Sequence, residues 1–202
     1  MFKKFLAITI VLVLSFCCIS CGEKIDPPET VVTNYLNALK NQDLETAKKY
    51  VSGEDDQILS ETEDEELASE MLTILQTLSF NVNPAEVNDS TATVKTTIKN
   101  IDMKPVMGDF VSELFSLAFS DLDEETLETK QNEAFTNALE KNKDTTIEKE
   151  VDIKLEKTET GWLIIPDDNL ADGITGGLLS VGEDMANSFG GDSEDNQDES
   201  SN

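Results

Sequence analysis

Residues 151–166 read Val-Asp-Ile-Lys-Leu-Glu-Lys-Thr-Glu-Thr-Gly-Trp-Leu-Ile-Ile-Pro, and this stretch decides the fold class. Val151, Ile153 and Leu155, with Ile147 upstream, alternate with charged side chains, the period-two pattern of a strand buried on one face. Glu159-Thr160-Gly161 reads as a turn, and Trp162-Leu163-Ile164-Ile165 leaves it as a more fully buried strand. Pro166 ends that strand, since proline has no N–H for a ladder. Strands joined by so short a link pair antiparallel.

Upstream, Ala92, Val94, Thr96 and Ile98 alternate with Thr93, Lys95, Thr97 and Lys99, giving a second half-buried strand. Asn88-Asp89-Ser90 forms a turn before it, and 80–87 reads as a short strand that Pro84 pushes to an edge. Ile101 and Met103 fall out of phase with the alternation, so a bulge is expected near Asn100.

Helical periods fill the rest. Val31, Val32, Tyr35, Leu36 and Leu39 make one stripe, with Asp26 as the expected N-cap, proline in the first turn and Glu29 in a capping-box position. Asn41 ends this helix, and Asp43 caps a short second one carrying Leu44, Ala47, Tyr50 and Val51. Residues 54–66 are strongly acidic and read as a loop entering a helix with Leu67, Met71, Ile74, Leu75 and Leu78 on its apolar face. A helical hairpin occupies 106–143, its second arm expected to start from a capping box of Asp121 and Glu124. The last element begins near Asp168 and carries Leu170, Ile174, Leu178 and Leu179, but Gly173, Gly176, Gly177 and Gly182 weaken or break it. Helices first, then antiparallel hairpins, is an α+β pattern. The expected fold is N-terminal helices packed on a curved antiparallel sheet, with a helical insert between strands.

The first twenty residues read as an address. Met1-Phe2-Lys3-Lys4 is a basic start, and 5–19 is almost wholly apolar but too short to span a hydrocarbon core comfortably. Cys18-Ile19-Ser20-Cys21-Gly22 resembles the bacterial lipobox, in which a small residue precedes a lipidated cysteine. Cys18 stands where leucine is usual. The resemblance implies cleavage before Cys21 and a diacylglycerol anchor on it, two acyl chains being about what stable anchoring takes. The expected division is a signal peptide over 1–20, a lipidated tether over 21–25, one domain over 26–185 and an acidic disordered tail over 186–202.

Composition excludes several chemistries. All three cysteines (17, 18 and 21) lie in or beside the export signal, and the chain has no histidine and no arginine. A Ser-His-Asp unit, a Cys-His unit, a His-ligated zinc and a bidentate guanidinium clamp are therefore all out of reach. The net charge is −27, and removal of Lys3 and Lys4 makes it more negative still. Such a surface repels nucleic acid and anionic headgroups, so the expected membrane contact is the lipid on Cys21 alone. No cofactor is expected. The acidic runs at 54–56, 61–66 and 121–125 do not have EF-hand spacing: Thr126 stands where that loop needs glycine and Asn132 where it needs glutamate. They read as solvated faces and helix starts, and no metal site is assigned.

The run Val-Val-x-x-Tyr-Leu-x-Ala-Leu-x-x-x-Asp-Leu-x-x-Ala-x-x-Tyr over 31–50 resembles the opening helices of nuclear-transport-factor-2-like (cystatin-like cone) domains, and the 151–165 hairpin with Gly161-Trp162 resembles their last one. The chain is similar to exported Gram-positive lipoproteins of unknown function that share this arrangement. The resemblance implies a cone-shaped pocket and a place on the outer face of the cytoplasmic membrane. Some enzymes of that fold use an Asp and a Tyr in the cone, as ketosteroid isomerases do. Tyr35 is the one candidate for such a role here, but no acid lies on a clear core face beside it. Core packing is the expected role of Tyr35 and of Trp162, whose other reading is a ligand-stacking platform. The stretch 110–119 is apolar nearly all round. A central core helix is its first reading; its second is a surface, with Phe115 and Phe119, for a protein partner or an apolar ligand. The functional expectation is a noncatalytic, lipid-anchored binding or accessory module for one of these; the alternatives are a small enzyme using an Asp/Tyr cone pocket and a ligand-free structural or stress-related envelope protein.

Overall fold

The computed structural model describes residues 25–53 and 65–190. The expected export signal, Cys21, the acidic stretch 54–64 and residues 191–202 of the expected tail lie outside the described residues.

Five strands form one antiparallel, open sheet: β1 (Ser79–Val82), β2 (Glu86–Asn88), β3 (Thr91–Ile101), β4 (Thr146–Lys157) and β5 (Trp162–Ile165). The order is β1-β3-β4-β5, with β2 also pairing on β3 beside β1. Proline at 84 splits the expected 80–87 strand into these two short edge pieces. The β2–β3 hairpin turns through Asp89 and Ser90, with Asp89 at a φ of 51°, a conformation that aspartate tolerates better than most residues. β3 and β4 pair without interruption from Thr91 opposite Glu156 to Ile101 opposite Thr146. Beyond β5, Val51 makes a parallel bridge to Ile164, and the Ser52 N–H donates to the Ile164 carbonyl at 2.8 Å.

One face of this sheet is dry. Val94 and Ile98 of β3, Ile153 and Leu155 of β4 and Ile164 of β5 are buried against α1 (Pro28–Lys40), whose Val32, Tyr35, Leu36 and Leu39 are fully covered. The other face is a ladder of charges: Lys95 reaches Glu150 at 3.1 Å and Asp152 at 2.9 Å, and Lys99 reaches Glu148 at 3.5 Å. Exposed pairs of this kind contribute little each, so the apolar face holds the layer together.

Three local expectations are corrected. No bulge interrupts β3 at Asn100, which pairs with Ile147 in register. Ile101 changes phase because the end of β3 is covered on both sides. Asn100 accepts from Thr77 and donates to the Ile174 carbonyl at 2.5 Å, while Ile101 enters a second core with Ile74, Met103, Val106, Ala138 and Leu139. Helix α1 starts one residue later than Asp26 suggests: Pro27 is its N-cap, no side chain caps it, and Pro28 opens the helix. Asp121 is likewise not a cap. Asp123 accepts from the Thr126 N–H at 3.0 Å and starts α5 (Glu124–Asn142). The Asp43 cap on α2 (Leu44–Ala47) is present, its carboxylate 3.1 Å from the Thr46 N–H.

The glycine-broken last element is two helices, α6 (Asp168–Ile174) and α7 (Leu178–Gly190). α7 runs past the boundary that the sequence placed at Met185. Gly173 lets α6 lie directly on the sheet, for a Cβ there would stand 2.8 Å from the Val151 methyl. Gly176 is more constrained still: its φ is +66°, and a Cβ would meet the Ile101 carbonyl at 1.8 Å. At that crossing the Met103 N–H donates to the Gly176 carbonyl at 3.0 Å, tying the start of α4 (Met103–Ala118) to the α6–α7 junction.

Candidate functional site

Strands β3 and β4 are neighbours in perfect register, so a two-residue turn after Ile101 would suffice to join them. Instead the chain runs out along α4 and returns along α5. At 16 residues, α4 extends about 24 Å from the sheet end. Asp102 caps it through the Lys104 N–H at 2.9 Å. α3 (Glu65–Gln76) contributes Ile74 to the core at the base of this arm. Further out, Phe110 meets Phe135 edge-on, ring centroids 5.5 Å apart.

Beyond that pair only one side of α4 stays covered, with Leu117 buried. Phe115 is 68 % exposed and Phe119 78 %, the two rings in edge contact with each other at 4.9 Å. Leu122, in the loop after α4, is also exposed. This corrects the first reading of 110–119 as a central core helix. An apolar surface that runs nearly all round α4 needs neighbours all round; α5 covers one side and α7 lies near the base, so the outer phenylalanines have no cover from the described chain. The acids of the tip flank them. Asp121, Asp123, Glu124 and Glu125 are exposed, and no lysine stands between Lys104 and Lys130. Hydrogen bonds from Thr126, backbone and then side chain, hold the Asp123 carboxyl below the ordinary aspartate value.

An open cleft of about 690 Å³ lies between α4 and α7, walled by Lys104, Gly108 and Val111 on one side and by Val181, Asp184, Met185 and Ser188 on the other. Two further open hollows are smaller: about 290 Å³ between α4 and α5, and about 250 Å³ beside Tyr50 and Trp162.

Tyr35 and Trp162 are core residues. Tyr35 has no exposed surface and packs in the same cluster as Leu36, Val94, Ile153 and Ile164, between α1 and the sheet. Trp162 is buried in that cluster, with the Lys157 ammonium 5.8 Å from its ring centroid.

The sequence reading found no acid on a core face, and here the structure corrects it twice. Asp172 of α6 is 9 % exposed. Its carboxylate accepts from the Lys149 ammonium, from the Ser180 hydroxyl at 2.6 Å and from the Ser180 N–H at 2.9 Å. Burial alone would push this carboxyl up; the hydrogen bonds from Lys149 and Ser180 outweigh it and hold the group below the ordinary aspartate value. Ser180 thus gives its proton to a weakened base, and Lys149 is a donor to Ser180 at 3.4 Å, not an acceptor from it. The cluster has the geometry of a lock joining α6 and α7 to β4, not of an activated nucleophile. Glu70 of α3, 8 % exposed, accepts from Thr136 of α5, and its second oxygen is buried with no hydrogen-bond partner among the described residues.

Both acids had a signal in the sequence. Lys149 shares the inward phase of Val151 and Ile153, and a lysine in an apolar register calls for a buried anion. Glu70 lies three residues after Leu67 and four before Ile74, on the apolar stripe of α3. Among the described residues no group of three or more acids, cysteines or histidines gathers to hold a metal ion. Nor is any described helix long and apolar enough to cross a membrane.

No family model matches the chain, and no curated protein matches it. Two solved structures are similar to it. One is a protein assigned to the lipoproteins (ycdA) from Bacillus subtilis, 17% identical with a TM-score of 0.40, the match covering 72% of this chain and 45% of that one. The chain thus spans under half the length of that protein. The other is an LEH-like epoxide hydrolase from M. tuberculosis, 13% identical with a TM-score of 0.30, the match covering 77% of this chain and 90% of the other. Neither likeness is close enough to carry an activity over to this chain, which stands as an α+β domain with an exposed aromatic tip on a helical arm.

Proposed function

We propose that the protein is an exported lipoprotein, anchored by lipid on Cys21, that serves as a noncatalytic accessory module holding a protein partner at the outer face of the membrane. The observation that carries this reading is the exposure of Phe115 and Phe119 at the end of an arm that the sheet does not need. Aromatic residues concentrate binding energy when a partner desolvates them, and an unpartnered pair on an otherwise charged surface is the signature of such a contact. The apolar-ligand form of the reading is less favoured, because Tyr35, Leu36 and Leu39 of α1 are fully buried against the sheet. An Asp/Tyr enzyme is less favoured for the same reason: Tyr35 is packed in the core, and Asp172 is committed to Lys149 and Ser180.

The test is the double substitution F115S/F119S in the full-length protein expressed in a Gram-positive host. The fold should be unchanged by circular dichroism, while the partner that cross-links to the wild type in intact cells should be lost. Retention of that partner by the well-folded variant would refute the assignment. Cys21→Ser should abolish lipid attachment and processing; a variant processed and anchored like the wild type would remove the lipoprotein part of the reading.

A further inference from the structure

We infer that the groove between α4 and α7, continued by Phe115 and Phe119, takes a basic amphipathic helix of the partner protein as a third helix. The inference rests on the reading above and names the chemistry of the partner. Lys104, Gly108, Val111 and Phe115 follow one another at helical spacings, so they share one face of α4, and Phe119, its C-cap, meets the Phe115 ring. The first three wall the 690 Å³ cleft; the last two carry the same face out into solvent. α4 and α7 leave from one point, where Met103 bonds Gly176, and diverge to leave a trough.

Two observations select the occupant. The first is Gly108. It lies inside a helix, its backbone needs no glycine, and a Cβ there would meet nothing within 4 Å among the described residues. Such a glycine weakens its helix relative to alanine and gains nothing from the chain's own packing. In the wall of a groove it lets another backbone approach closely, as a docked helix requires. The second is charge. α7 has no basic residue, Asp184 lines the cleft, and Asp121 and Asp123 stand exposed at the tip just beyond Phe119, with Lys104 the one cation lining the trough among the described residues. Complementarity calls for a cationic helix whose apolar face meets Val111, Met185, Phe115 and Phe119. It disfavours the chain's own acidic C-terminal residues, and equally a second copy carrying the same charge of −27.

The probe is a synthetic peptide of about 18 residues, the length that matches α4, with leucine on one helical face and lysine on the other. Its twin has glutamate for every lysine. Each is titrated against the mature chain at physiological salt and followed by fluorescence anisotropy. The lysine peptide should bind and the glutamate peptide should not. Gly108→Leu fills the trough without changing any charge and should weaken binding at least about tenfold, as should F115S/F119S. Ser188→Trp fills it from the α7 side and provides the same test should Gly108→Leu perturb α4. Equal binding by wild type and all three variants would mean attraction to acidic surface alone and overturn the inference. So would absence of binding, or equal binding of the two peptides. Loss in F115S/F119S with full retention in both trough variants would overturn the groove while leaving the aromatic tip as the contact.

Discussion

Lys149 and Asp172 show how one residue choice propagates. A lysine in the inward phase of β4 can be covered only if an anion meets it, and Asp172 does so from α6 while its other bonds fix the first turn of α7 through Ser180. Asp172→Asn should therefore destabilise the fold at neutral pH by about 2 kcal/mol, the scale of hydrogen bonds to a charged group. The pH dependence has a definite sign. The folded carboxyl titrates below the ordinary aspartate value, so its contribution is complete above the unfolded value and is lost as pH falls through the folded one. Urea midpoints of wild type and variant should differ at pH 7 and converge as pH drops below about 4. A gap that persisted in acid would assign the loss to shape and not to charge. Gly108 gives the opposite case: Gly108→Ala should raise stability by about 0.5–1 kcal/mol, since nothing stands where its methyl would go. A fall in Tm would show that the glycine serves the fold after all.

At the level of elements, the sheet was the most legible part of the chain. Alternation identified β3 and β4, a short apolar run between a turn and a proline identified β5, and proline at 84 announced an edge. Periodicity could not say what covers an element. The phase change at Ile101 resembles a bulge in sequence but arises because the strand end is covered on both sides. The apolar run of α4 resembles a core helix, yet depth of burial depends on neighbours that only the tertiary arrangement supplies. Caps were misplaced at Asp26 and Asp121 because adjacent prolines or acids offer several equivalent starts, and backbone geometry chooses among them. The arm divides at Phe110. Phe110→Ser, removing the ring that meets Phe135, should cost about 2 kcal/mol, whereas F115S/F119S should change stability by less than about 0.5 kcal/mol. Thermal unfolding of the two variants side by side checks this. Equal losses would mean that the tip belongs to the core.

The whole molecule combines a dry sheet face, a second face of exchangeable charge pairs and an arm that the β3–β4 connection does not require. A net charge of −27 works against approach to anionic surfaces. On this account the arm is the part of the protein that works on other molecules, and the remainder holds it in place. That claim is tested most directly by photocross-linking in intact cells, with a benzophenone amino acid at position 119 and, as a control, at Val87, an exposed apolar residue on the edge strand β2. The account predicts one discrete protein adduct from position 119 and none from position 87. The same pattern from both positions, or no adduct from either, would contradict it.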